Sequence, residues 1–390
     1  MASVSQICER AIADATSAGN ALLKFISAND VGQTGSHQCG YYLPKYVWEM
    51  FSPHAPKKGE NREHEVSILW QDGRRTDSRV KWYGVGTRSE YRLTRFGTSF
   101  PWLSYDRVGS LLVLVIRSHT DFHAYVLDTD EDIDEIVATL GLDITGRWGI
   151  YREGKPEVET ESECIERLSS EFAKNQIEFP SGEIFSGYAR EVLTACIRNY
   201  EDLPPDEALL GYLRSEHHLF RIVEQRLCAN VTRGPFASVD EFLKVAGTLM
   251  NRRKSRAGRS LENHVDYILS KSGIPHDMRP DIPGKPDIVI PGKAMYEDPG
   301  YPVSRLLIVG VKTTCKDRWR QVLNEARRVP NKHILTIQTA ISSGQLREMK
   351  EAGVTLVVPE KLQNGYPRDV DLPILTVDAF VQVAREYVRK

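Results

Sequence analysis

Apolar and polar residues alternate with one rhythm in the first part of the chain and another in the second. In the first, the runs Val66–Trp70, Val80–Tyr83, Leu111–Ile116 and Ala124–Leu127 are rich in β-branched and aromatic residues and are separated by Gly and Asp clusters. That punctuation predicts strands. Leu111–Ile116 is the longest apolar run and has the length of a buried strand. One helix is expected at Asp132–Leu140, where Ile133, Ile136, Val137 and Leu140 repeat at helical spacing. Met1 to Ala15 carries Glu9, Arg10 and Asp14 among apolar positions and reads as an amphipathic helix, not a signal peptide. Irregular strands with few helices predict a small barrel-like domain.

The rhythm then changes. Glu153, Glu157, Glu159, Glu161, Glu163 and Glu166 fall in one stretch with Gly154-Lys155-Pro156. An acidic, Pro-containing segment between differently patterned regions predicts a linker; a solvated helix face is the other reading. From Glu183 onward helices are expected at Ser186–Asn199, Asp206–Cys228, Val239–Asn251, Arg259–Ser272, Asp317–Val329, Gly344–Glu351 and Asp378–Val388. Strands are expected at Asp287–Ile290, Leu306–Val311, His333–Ile337 and Thr355–Val358. Such alternation predicts a mixed sheet flanked by helices.

Composition narrows the class. The chain has 390 residues, 41% hydrophobic and 27% charged, which suits two or three globular domains and excludes wholesale disorder. No stretch approaches the ~18 apolar residues of a membrane span, so a soluble intracellular protein is expected. Cys8, Cys39, Cys164, Cys196, Cys228 and Cys315 are scattered singly, so reduced thiols are expected rather than a disulfide framework or zinc site. Trp70 and Trp102 are expected in the core, and His217 and His218, adjacent on a helix, diverge by about 100° and cannot clamp one metal. The net charge of −2 conceals an uneven distribution. Asn251 to Arg259 holds five basic residues and no acid: Arg252, Arg253, Lys254, Arg256 and Arg259. That is the footprint of a phosphate-backbone site, although a solvated basic surface has the same composition.

Candidate chemistry centres on Lys285-Pro286-Asp287, where an acid enters a short strand. The strand Leu306–Val311 ends 25 residues later in Lys312, and Glu325 follows 13 residues beyond, on the next expected helix. Neighbouring strands can bring Asp287 and Lys312 together, and Trp319, Val322, Leu323 and Ala326 form the stripe that would pack this helix on the sheet. Two carboxylates and a lysine are the minimal kit for metal-assisted phosphodiester hydrolysis. As a bare pattern it is common in α/β domains; the basic residues beside it, Lys312 to Arg320, give it weight.

Three segments carry a resemblance: Asn251–Glu262, Lys285-Pro286-Asp287, and Val311-Lys-Thr-Thr-Cys-Lys-Asp-Arg-Trp-Arg-Gln-Val-Leu-Asn-Glu-Ala326. With Gln345–Pro359, and earlier Ser27–Gln38 and Thr87–Arg95, they resemble the EcoRII-type restriction endonucleases. The likeness is patchy before Phe179 and strong after Ser238. It implies a type IIE enzyme of the PD-(D/E)XK superfamily: an N-terminal β-rich DNA-binding pseudobarrel and a C-terminal α/β restriction-endonuclease-like fold with a central mixed sheet. The expected domains are 1–152 for effector DNA, 153–182 as acidic linker and 183–390 as nuclease. One departure from the superfamily pattern is Gly310, two before Lys312, where an acid is usual. Alone it would suggest a dead nuclease, but the EcoRII-like subgroup supplies that acid from the next helix, and Glu325 matches it.

The same matching implies the other roles. Glu262 and Tyr296 join Asp287, Lys312 and Glu325 as catalytic residues, with Asp287 and Glu325 holding Mg²⁺. Lys316, Asp317 and Arg318 match the base-reading cluster, and their chemistry suits guanine O6/N7 and cytosine N4. Arg214 lies where the family contacts extruded central bases. Arg252, Arg253, Lys254, Arg256 and Arg259 are assigned to the DNA backbone, and Arg88, Glu90, Arg92 and His37 to effector DNA. The implied partners are double-stranded DNA in target and effector copies and a second subunit of a homodimer. No membrane is implied, and a cognate DNA methyltransferase is a functional rather than physical partner. The expected activity is cleavage at a CC…GG site, most simply CC(A/T)GG, before the first C, in a prokaryotic cytoplasm. A non-cleaving DNA-binding regulator and a structure-specific repair nuclease of the same fold are the rivals.

Overall fold

The computed structural model describes residues 4–33, 39–143, 145–146, 148–154, 162–370 and 373–389. It divides into two units: Met1–Glu157 with Thr339–Arg347 and Leu362–Asp371, and Val158–Gln338 with Glu348–Lys361 and Leu372–Lys390. The expected boundaries at 152 and 183 are thus drawn differently, because two later segments are built into the first unit. Ala340 sits in its aromatic core, and the Ala28 amide donates to the Gly365 carbonyl at 3.1 Å.

The first unit is β-rich. Its elements are α1 (Gln6–Ala18), β1 (Asn20–Phe25), β2 (Tyr41–Leu43), β3 (Arg62–Trp70), β4 (Arg75–Tyr83), β5 (Glu90–Thr94), β6 (Leu111–Ile116), β7 (Asp121–Leu127), α2 (Asp130–Leu140) and β8 (Gly149–Arg152). They form one sheet in the order β2-β5-β4-β3-β7-β6-β1-β8. Among the described residues, β3 and β7 are the one parallel pair. The unbroken apolar run of β6 has a reason: both of its faces are covered. Leu112, Leu114 and Ile116 join a cluster with Tyr41, Trp70, Trp82 and Trp102, while Leu111, Val113 and Val115 pack with Ala11 and Ala15 of α1 and Ile133 and Ile136 of α2. Trp70 and Trp102 are buried, as expected. Ser5 caps α1 by accepting the Cys8 amide and also donates to Asp132 on α2 at 2.7 Å, tying the two helices together.

The second unit contains α3 (Glu163–Lys174), α4 (Gly182–Cys196), α5 (Pro205–Arg233), α6 (Val239–Lys271), β9 (Asp277–Met278), β10 (Ile288–Ile290), α7 (Lys293–Glu297), β11 (Leu307–Lys312), α8 (Trp319–Val322) and β12 (Lys332–Thr336). After these come α9 (Ser343–Glu351), β13 (Val354–Val357), β14 (Ile374–Leu375) and α10 (Val377–Arg389). The sheet order is β14-β13-β12-β11-β10-β9, parallel from β11 to β14 and antiparallel from β9 to β11. This is the mixed sheet the alternating pattern predicts.

Four expectations are corrected. The two helices expected around the basic run are one 33-residue helix, α6, which passes through Gly258 without a break. A lone helical glycine costs only about 1 kcal/mol against alanine, too little to end a helix anchored further on. The helix expected at Asp317–Val329 is only four residues, α8. It stops because Ala326 turns left-handed (φ 42) and the buried Lys332 ammonium takes the carbonyls of Ala326 and Val329. Cys164 and Cys196 form a disulfide between α3 and α4, where reduced thiols were expected. Their separation of 32 residues hides the proximity that helix packing creates. Finally, α3 occupies part of the expected linker yet packs in the second unit, with Phe172 and Ala173 against Phe185, Leu219 and Phe220. The acidic residues Glu157, Glu159 and Glu161 lie outside the described residues.

Candidate active site

Strand pairing builds the site. Ile288 of β10 lies opposite Val309 of β11, so Asp287, entering β10, comes alongside the end of β11. Asp287 Oδ2 accepts from the Val311 amide at 2.6 Å and from Lys312 Nζ at 2.5 Å. The Asp287 carbonyl accepts from the Arg279 amide at 2.7 Å, pinning the backbone on its other side. Asp287 and Lys312, 25 residues apart in sequence, are thus one charge-assisted pair.

Glu325 reaches the same place from a bend just past α8, not from the helix itself. Gly310 makes this possible. A Cβ there would lie 2.7 Å from Val322 Cγ2. Val322 is fully buried, so α8 packs directly against β11 at Gly310. Trp319, Val322 and Ala326 are buried and Leu323 is half-buried, as their stripe predicts.

Electrostatics single out two carboxyls. Glu325 is 9% exposed, and burial pushes its pKa up to about 7; the Asp287 charge adds to that, while Lys312 and Lys332 oppose it. Lys332 is pushed down to about 8 by burial, against the pull of Glu325. Glu262 of α6 is raised by burial and then by Asp287, with Arg279, Lys312 and Arg259 opposing. Oε2 of each glutamate is buried without a hydrogen-bond partner; Arg279 Nε stands 3.4 Å from that of Glu262, at ion-pair distance. Buried carboxylate oxygens without partners are costly unless something cationic arrives. Among the described residues no three His, Cys, Asp or Glu side chains converge to hold a metal ion. A hard divalent cation that takes one or two carboxylates and completes its shell with water and phosphate fits such oxygen donors.

The remaining expected residues are placed as follows. Tyr296 is buried in α7 and packs with Val289, Ile308 and Ala326, its ring 5.9 Å from the Arg328 guanidinium. Lys316, Asp317 and Arg318 form the turn between Lys312 and α8, with Lys316 buried, Asp317 exposed and Arg318 half-buried. Arg214 is exposed on α5. Of the basic run, Arg253 pairs with Glu224 at 2.7 and 2.9 Å, Arg256 donates to His217 Nδ1 at 3.1 Å, and Arg252 lies 3.8 Å over the Phe179 ring. Lys254 and Arg259 are exposed. His218 faces Glu166 at 3.0 Å, so the two histidines have separate partners. In the first unit Arg88 is exposed beside the Tyr83 ring, whereas Arg92 is 4% exposed and donates to Glu90 at 2.9 Å. His37 lies outside the described residues.

Arg279 and Lys332 were missed by the sequence reading. A lysine opening an otherwise apolar strand, Lys332-His333-Ile334-Leu335, was the available signal for one; nothing local marks Arg279.

Two family models match the chain: "EcoRII C terminal" over residues 220–381 and "Restriction endonuclease EcoRII, N-terminal" over residues 15–145. The type II restriction enzyme EcoRII of Escherichia coli is 33% identical over 380 residues, covering 92% of each chain. The type II restriction enzyme SsoII of Shigella sonnei is 26% identical over 151 residues, 35% of this chain and 48% of that one. Among solved structures, metal-depleted Ecl18kI in complex with uncleaved DNA matches with a TM-score of 0.44 and 21% identity over 58% of this chain and 84% of that one. The PspGI–substrate DNA complex matches with a TM-score of 0.43 and 14% identity, over 54% and 94%. No helix among the described residues is long and apolar enough to cross a membrane.

Proposed function

The chain belongs to the EcoRII family of type II restriction enzymes and is a site-specific deoxyribonuclease; from that premise we propose that it hydrolyses double-stranded DNA with Mg²⁺ at a CC…GG site, most simply CC(A/T)GG, before the first C. The observation that carries the assignment of chemistry is the Asp287–Lys312 pair at 2.5 Å, with the buried oxygens of Glu325 and Glu262 that accept no hydrogen bond in its field.

Asp287 and Glu325 would hold the ion, which when bound acts as a Lewis acid towards the phosphate. Asp287 also orients Lys312, whose ammonium adds fixed positive charge where negative charge develops in the transition state and supports the attacking water. Glu325, titrating near 7, gains its charge when a cation offsets burial. Glu262 adds a second, half-buried carboxyl beside Asp287, and Tyr296 closes the apolar side of the centre. Lys316, Asp317 and Arg318 read the C·G pairs, Arg214 meets the central bases, and Lys254 and Arg259 track phosphates with Arg252, Arg253 and Arg256 behind them.

Arg88 and Glu90, with His37, bind a second copy of the site as effector, with the buried Arg92 holding Glu90 from behind rather than touching DNA, and that binding raises the population of competent nuclease. The enzyme works as a homodimer in the bacterial cytoplasm, beside a methyltransferase that protects host sites. Unmethylated plasmid incubated with the protein and Mg²⁺ tests this reading. Discrete fragments are expected; bound but uncut plasmid would mean a regulator, and cutting confined to branched junctions would mean a repair nuclease.

A further inference from the structure

The two carboxyls assigned to the metal come from different elements: Asp287 enters β10, and Glu325 stands on a bend past α8. Residues 282–285 form the turn that leads to Asp287. The Lys285 amide donates to the Ile282 carbonyl at 3.0 Å, Pro283 is the second residue, and Gly284, the third, has φ 84. That is a type II turn, whose third residue must take a positive φ. The turn lies against the backbone of Glu325. The Ala326 amide donates to the Pro283 carbonyl at 3.2 Å. A Cβ on Gly284 would stand 2.6 Å from the Asn324 carbonyl oxygen and 2.8 Å from both the Glu325 Cα and the Ala326 nitrogen. Those are main-chain atoms, so no change of rotamer makes room. Lys332 takes the next polar group. It is 2% exposed and donates to the Ala326 carbonyl at 2.8 Å and to the Val329 carbonyl, and its charge opposes the cost of burying the Glu325 carboxyl. Burying an ammonium is itself costly, so strand packing alone does not account for a lysine here.

Resting on the nuclease reading above, we propose that Gly284 and Lys332 are positioning residues: they clamp the backbone of Glu325 to the turn that carries Asp287 and so set the distance between the two carboxylates. Asp287 has anchors of its own, the Val311 amide at 2.6 Å and Lys312 at 2.5 Å. Glu325 lacks them. Its buried Oε2 accepts no hydrogen bond, so the main chain decides where the carboxyl stands. Both polar groups of the Ala326 backbone are used for this, the N–H by the turn and the C=O by Lys332. Neither Gly284 nor Lys332 needs to touch DNA or metal; each acts through Glu325. Residues that hold a metal ligand in place are commonly worth roughly 10–100-fold in metal affinity or activity.

The test is the Mn²⁺ affinity of the full chain, read from the paramagnetic resonance of the free ion, beside the Mg²⁺ concentration that half-saturates plasmid cleavage. Circular dichroism and urea unfolding check the fold. Gly284→Ala and Lys332→Met should each weaken Mn²⁺ binding roughly 10-fold and raise the half-saturating Mg²⁺ by a similar factor, while metal-free affinity for a cognate duplex stays at the wild-type value. Lys332→Gln keeps a donor near the two carbonyls, serves if Lys332→Met does not fold, and should fall between. In a Glu325→Gln background neither substitution should weaken Mn²⁺ binding further, because both act through Glu325. A merely structural role would lower urea stability and leave the metal constants of the folded protein alone. Folded variants with wild-type Mn²⁺ and Mg²⁺ constants therefore overturn the proposal, and so does an undiminished effect in the Glu325→Gln background. If wild type itself binds Mn²⁺ no better than Glu325→Gln, the assignment of Glu325 to the metal fails and the proposal falls with it. If wild type binds better and the variants match it, the proposal alone falls.

Discussion

Glu325→Gln should stabilise the protein in a pH-dependent way that its burial sets in advance. The Glu325 carboxyl is raised from 4.5 to about 7, chiefly by burial. A group whose folded pKa is raised contributes stability that is complete below the unfolded value and is lost as pH rises through the folded one. The wild type should therefore lose stability between about pH 4.5 and 7.5 on account of this residue, while glutamine, neutral throughout, loses none. The shift corresponds to about 3 kcal/mol, at ~1.4 kcal/mol per pKa unit. Urea titrations of both full-length proteins in metal-free buffer give the difference at each pH. Asp378, raised to about 6, titrates in the same window but is common to both and cancels. The variant should match wild type near pH 4.5 and exceed it by about 3 kcal/mol at pH 8. A divalent cation that stabilises wild type but not the variant at pH 8 would close the gap. A difference that stays flat from pH 5 to 8 would refute the reasoning, because Glu325 would then ionise as an ordinary carboxyl.

Asp287→Ala leaves Lys312 without its acceptor, and should abolish cleavage while gel-shift affinity for the cognate site survives; full cleavage by this variant sinks the assignment. Arg318→Ala should cost about 1–3 kcal/mol of discrimination between cognate and altered sites. Lys254→Ala should instead weaken binding to all sequences and flatten the dependence on salt, and the reverse pattern would exchange the two roles. Gly310→Ala forces Val322 aside and should cost about 1–3 kcal/mol together with most of the cleavage. Gly310→Ala combined with Val322→Ala should recover part of both, and no recovery would mean that Gly310 matters for another reason. A chain beginning near residue 162 keeps α3 and the Cys164–Cys196 bond but uncovers residues 339–347 and 362–371; if circular dichroism shows it folded, it should cut single-site DNA faster than the whole protein, and an equal rate would mean that the first unit does not hold the nuclease back.

Strands and long helices were legible because burial imposes a period. Leu111–Ile116 coincides with β6, and the alternation after Glu183 resolves into a mixed sheet with parallel and antiparallel pairs. What escaped depended on partners distant in sequence. The early end of α8 is set by Lys332 and by the turn at Ala326, not by any breaker in Asp317–Val329. The disulfide needed the packing of α3 on α4 to be known first. The same limit applies to the site. Asp287 and Lys312 could be paired from strand adjacency, whereas Arg279 joins Glu262 across a chain reversal with a left-handed φ of 44 that no local pattern announces. The basic run was readable as charge, but Arg253 and Arg256 turn towards α5 and Arg252 lies over Phe179 in the loop between α3 and α4, which only the packed structure reveals.

Sequencing the ends left on one fully sequenced, unmethylated plasmid by wild type and by Asp287→Asn, side by side with Mg²⁺, tests the central claim most directly. Wild type should leave ends at a single repeated CC…GG motif and nowhere else, and Asp287→Asn should leave the plasmid intact. Ends scattered without a common motif, or the same ends from Asp287→Asn, would contradict a site-specific nuclease built on the Asp287–Lys312 pair.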